Sequence, residues 1–182
     1  TAATGTTDGT HITAATFGES LGVGIVDGAE LSFAYVAGDA ATKASWASEA
    51  ITAATAGSFT FNGVTVNLTV GEASEPVAGD GEVSVGIAGG GTSAQSADAI
   101  VAALEEYKFS GSTDAIDGFT FTANGGIVEI EADDAGAQYN DLAIGGTLAG
   151  AATRTDGADA TSDTLTITST AGNTQRINVV GT

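Results

Sequence analysis

The sequence predicts a mainly β protein with two helices, an α+β chain in which a β-α-β-β unit occurs twice and a β-hairpin closes the C-terminus. Three observations carry this. Short stretches alternate apolar and polar residues with a period of two. Two alanine-rich stretches switch to a helical period. Strand, helix and a Phe-Thr-Phe hairpin then recur in the same order. Composition agrees, because 27 glycines and one proline in 182 residues suit short strands joined by tight turns.

Residues 1–20 (TAATGTTDGTHITAATFGES) have little apolar periodicity and read as a flexible or strand-exchange arm. The first unit spans residues 21–76. It opens with alternation from Glu30 to Val36, which Gly38-Asp39 interrupts. Residues 40–54 (AATKASWASEAITAA) place Trp46, Ile51 and intervening alanines on one helical stripe, with Asp39 as N-cap. In SFTFNGVTVNLTV, Phe59 and Phe61 alternate, and so do Val64, Val66, Leu68 and Val70. Asn62-Gly63 between them is a hairpin signal, since both residues tolerate the positive φ of a type I′ turn. Gly71 to Gly81, with Pro76, is the expected internal boundary.

The second unit spans residues 77–150. Val83, Val85 and Ile87 form its strand, ended by Gly89-Gly90-Gly91. TSAQSADAIVAALEEY predicts a helix over 93–107, with Ala97, Ile100, Val101, Leu104 and Tyr107 on one face and a Ser/Thr cap before it. Phe119 and Phe121, then Ile127, Val128 and Ile130, repeat the hairpin. The offset between the units grows from 52 (Glu30, Glu82) to 60 (Phe59, Phe119), which places an insertion in KFSGSTDAIDG. Leu142 to Leu148 is strand-like. Residues 151–182 hold a polar loop and the closing hairpin: Thr164 to Thr168, a turn at Ala171-Gly172-Asn173, and Arg176 to Val180.

Asp and Glu total 23 against Lys43, Lys108, Arg154 and Arg176, for a net charge of −19. Four scattered cations cannot supply the counterion release that drives nucleic-acid binding, nor docking on anionic lipid. Self-association under such a charge needs divalent cations, salt, or interfaces that spare the carboxylates. No apolar run approaches the roughly 20 residues of a membrane span, and without cysteine no disulfide framework exists. A chain without methionine that begins at Thr1 reads as a processed product or a piece of a longer one. An extracellular or cell-surface location, or alternatively a virion, is expected.

Catalysis is not expected. His11 is the only histidine, lies in the arm, and has no Gly-x-Ser-x-Gly partner sequence. The pairs Glu105-Glu106 and Asp133-Asp134 are ordinary in so acidic a chain, and adjacent strand residues face opposite sides. The glycines at 89–91 and 145–146 lack the Gly-Lys-Ser/Thr of a phosphate loop and read as turns. Calcium is the one cofactor that the residue types admit, because hard cations take clustered carboxylate oxygens from loops. The candidates are Asp133, Asp134 and Asp141, and Asp156, Asp159 and Asp163 in the late loop, although neither set follows a known calcium-loop spacing.

The strand EVSVGIAGGG, the helix TSAQSADAIVAALEEY, the strand GFTFTANGG and the strand-turn IVEIEADDAGAQYNDLAI form a stretch of about 65 residues. It resembles a β-α-β-β module of the variable outer parts of bacterial flagellins and hook-associated proteins, also found in structural proteins of tailed phages. The resemblance implies a secreted or virion building block. The long terminal heptad helices that polymerise flagellins are missing here. The expected function is therefore a structural subunit of an extracellular filament or other surface assembly, whose partners are copies of itself. The alternatives are a phage tail or decoration protein, or an adhesin or carbohydrate-binding module with loops around Trp46 or Tyr139, although the spacing of Trp46 favours the core. Subunits are expected to join when the arm Thr1 to Thr16 or the strand Arg176 to Val180 pairs with a neighbour's sheet edge.

Overall fold

The computed structural model describes residues 31–110, 114–169 and 174–179. Among them, 31–40 and 160–179 belong to one compact unit and 41–159 to a second. The chain thus leaves the first unit, builds the whole of the second, and returns.

The first unit contains β1 (Leu31–Val36), β11 (Asp163–Ser169) and β12 (Thr174–Val179), in the order β1-β11-β12. Both pairings are antiparallel: Phe33 lies opposite Ile167 and Tyr35 opposite Leu165, while Leu165 lies opposite Ile177. The two strands of the expected closing hairpin are therefore present as β11 and β12, while its turn at Ala171-Gly172-Asn173 and Val180 lie outside the described residues.

The second unit holds two sheets and a helix. The four-stranded sheet has the order β10-β2-β8-β7, from β2 (Lys43–Ala47), β7 (Phe119–Asn124), β8 (Ile127–Ala135) and β10 (Thr153–Thr155). The five-stranded sheet has the order β5-β6-β4-β3-β9, from β3 (Gly57–Phe61), β4 (Val64–Gly71), β5 (Ser74–Ala78), β6 (Glu82–Ala88) and β9 (Ile144–Gly145). Helix α1 (Ser93–Phe109) packs against strands of both.

Alternation sets each buried face. Phe59, Phe61, Val64, Val66 and Leu68 point inward from the first hairpin, and Phe119, Phe121, Val128, Ile130 and Ala132 from the second. Asn62 (φ 44°) and Gly63 (φ 81°) supply the positive φ values of the β3–β4 turn, as the Asn-Gly signal requires. The Phe-Thr-Phe elements meet in the core: Phe61 stands edge-to-face with Phe119 at 4.9 Å between centroids and with Phe121 at 6.2 Å. Such pairs add about 0.5–1.5 kcal/mol each beyond the area they bury.

Helix α1 forms where its period predicts. Ser96, Ala97, Ile100, Ala103, Leu104 and Tyr107 are its buried stripe. Thr92 closes a capping box: its hydroxyl accepts from the Gln95 amide, and the Gln95 side chain accepts from the Thr92 amide.

The helix expected over 40–54 is absent. Residues 43–47 form β2, a central strand paired antiparallel with β8 and β10, and the rest of 40–54 is irregular. Ala44, Trp46 and Ser48 point inward while Lys43, Ser45 and Ala47 do not, a period of two that the helical stripe of Trp46 and Ile51 concealed. Sheet pairing on both sides, and the Trp46 indole donating to the Leu142 carbonyl at 2.9 Å, outweigh the helix propensity of alanine. The first segment is consequently not a β-α-β-β unit, and its opening strand β1 belongs to the other compact unit.

Two other expectations change. Residues 71–81, read as a boundary between 21–76 and 77–150, carry β5, which pairs with β6 inside one sheet. Of the strand expected over Leu142 to Leu148, only Ile144–Gly145 pairs, with β3, before the chain turns at Gly146.

Candidate functional site

The sequence candidates for calcium are placed apart or engaged by the protein's own donors. Asp133 accepts from the Thr120 hydroxyl at 2.8 Å, and Asp159 accepts the Ala137 amide at 3.1 Å. Asp156 pairs with Arg154 at 2.6 Å, while Asp134 and Asp141 are exposed. Asp163 belongs to the other unit. Among the described residues, no group of three or more carboxylates or histidines is arranged to hold a metal ion. Instead the late loop is fastened by Asn140, whose amide group donates to the Gly157 carbonyl at 3.0 Å and accepts from the Gly157 amide at 2.8 Å.

His11 and the arm 1–20 lie outside the described residues. Glu105 and Glu106 are exposed on α1, Gly90 and Gly146 sit in turns with positive φ, and Trp46 is a core residue at 3% exposure. Tyr139 is half-buried, with its ring against Phe119 at 5.1 Å. Neither aromatic named for the adhesin reading is an exposed platform.

The outer face of the four-stranded sheet carries a shallow groove of about 450 Å³, lined by Ser45, Ala47, Thr120, Thr122, Glu129, Glu131, Thr153 and Thr155 among others. Lys43 pairs with Glu131 at 3.1 Å, and Asn124 donates to Glu129 at 3.0 Å. The groove offers hydrogen bonds and negative charge but no nucleophile-base pair.

The edges of the sheets differ more sharply. In the second unit each edge carries a feature that hinders pairing. β5 contains Pro76 and a register irregularity between Ser74 and Val77. β9 has two residues and β10 three. At the start of β7, the Lys108 ammonium donates to the Phe119 carbonyl at 2.7 Å. In the first unit β1 and β12 are six residues each, without proline or carboxylate, and among the described residues neither has a strand on its outer side. The sequence names the strand Arg176 to Val180 only as one that pairs with a neighbour's sheet edge, and Lys108 carries no signal of its contact with Phe119.

Asp163, at the start of β11, accepts the Gly38 amide and the Tyr35 hydroxyl, each at 2.7 Å. These bonds, the backbone one foremost, hold its pKa below the ordinary 3.8. A lowered folded pKa contributes stability that is present above the ordinary value and lost as pH falls through the folded one. The unfolding midpoint of the first unit is therefore expected to drop on acidification below about pH 4, and Asp163→Asn is expected to flatten that dependence. Thermal melts from pH 6 to pH 2 check this, and an unchanged slope in the variant would contradict it.

A scan against protein-family models, a search of curated proteins and a search of solved structures each find no match to this chain.

Proposed function

We propose that the chain is a structural subunit of an extracellular filament or other surface assembly, joining copies of itself through the three-stranded sheet and presenting the second unit. The observation that carries this reading is where the charge lies. The chain has 23 carboxylates, yet the 19 residues of β1, β11 and β12 include one acid, Asp163, and one base, Arg176. A subunit that repels its copies must associate where carboxylates are sparse, and backbone pairing at an edge needs no side-chain charge.

The resemblance of residues 82–144 to the outer modules of flagellins and hook-associated proteins, and to tailed-phage proteins, supports the same class. So does the β-α-β-β order of β6, α1, β7 and β8 within that stretch. Electron microscopy of the purified full chain at near-physiological salt tests the reading through the presence or absence of a regular polymer.

A further inference from the structure

β1 and β12 each run antiparallel to β11, so they run parallel to one another on opposite sides of the sheet. They are also level with one another. Ala34 and Arg176 both lie opposite Thr166, and Val36 and Asn178 both lie opposite Thr164. A copy set beside another in the same orientation would present its β1 to the neighbour's β12 with the same rows continuing across the join.

We infer that copies join head to tail, β12 of one pairing in parallel with β1 of the next. This rests on the reading of the chain as an assembly subunit and gives that assembly a direction. A two-fold join of β12 with β12, or of β1 with β1, uses one edge of each copy and leaves the other uncovered. Among the described strands, the head-to-tail join uses both edges of every three-stranded sheet through a single kind of interface, and only the ends of the array keep one unpaired. Such an interface is heterologous, and the right-handed strand twist, about 20–25° per strand, turns the row into a helical filament. Charge permits it, since neither edge strand carries a carboxylate and Arg176 meets an uncharged strand, LSFAYV. In a β12–β12 join the two Arg176 residues would share one interface.

Engineered cysteines test the direction, because the chain has none of its own. Full-length Ala34→Cys and Arg176→Cys chains are mixed, allowed to assemble and oxidised. A disulfide-linked dimer is expected from the mixture and from neither chain alone, and a chain carrying both substitutions is expected to give a ladder of covalent oligomers. Val36→Cys with Asn178→Cys repeats the experiment one row pair away, in case the first pair disturbs folding. Covalent dimers of the Arg176→Cys or Asn178→Cys chain by itself would overturn the inference in favour of a two-fold join. Regular polymers in the electron microscope with no cross-link at either pair would overturn the inference and leave the assembly reading standing. Absence of both polymer and cross-link would overturn the two together.

Discussion

Replacing Trp46 with alanine is expected to lower the stability of the second unit by about 3–5 kcal/mol. The indole is 3% exposed and stands edge-to-face with Phe61 at 5.3 Å and Phe119 at 5.9 Å. Its removal would open a cavity at the meeting point of the two Phe-Thr-Phe elements. It would also take away the donor to the Leu142 carbonyl, and so release the segment that leads into β9. Trp46→Phe is expected to cost less, since it keeps much of the volume and loses only the N–H bond. Urea unfolding followed by circular dichroism measures both, tryptophan fluorescence being lost with the only Trp. A loss below about 1 kcal/mol for the alanine variant would place Trp46 on a yielding surface, against the packing described.

Gly146→Val is expected to destabilise the same unit by about 3 kcal/mol or more, from steric overlap combined with backbone strain. Gly146 has φ +93°, and a Cβ there would lie 2.3 Å from the Ser58 carbonyl oxygen and 2.9 Å from the Phe59 Cα. Both are backbone atoms of β3 and cannot rotate away. Gly63 provides the contrast: its φ is +81°, but nothing lies within 4 Å of the added Cβ. Gly63→Ala should therefore cost only the left-handed backbone penalty, about 1–2 kcal/mol. Comparing Gly146→Ala with Gly63→Ala by chemical denaturation separates close approach from φ alone, and equal losses would show that the contact at Gly146 relaxes.

Local signals in the sequence led to the right elements where one period dominated. The β3–β4 hairpin follows from Asn62-Gly63 between two alternating runs, and α1 from a stripe with a Thr92 cap. The hairpin of β11 and β12 was readable in the same way. Residues 43–47 were not, because alanine and serine satisfy either period and the deciding partners, β8 and β10, lie more than 80 residues away. β5 was hidden by Pro76, which is tolerated there because the strand is an edge. The repeat of Phe-Thr-Phe was a real pattern with a different meaning: it marks two hairpins that face each other across one core, while the helix belongs to only one of them. The aspartates chosen for calcium share only sequence proximity: Asp156 turns to Arg154 in its own loop, and Asp159 accepts the Ala137 amide 22 residues away.

The measurement that bears most directly on the assembly reading is electron microscopy of the purified full chain over a range of ionic strength. Screening of the −19 charge should promote association. The expected result is a regular polymer that is sparse at low salt and abundant near physiological salt. Discrete, unassociated particles at every ionic strength would contradict it.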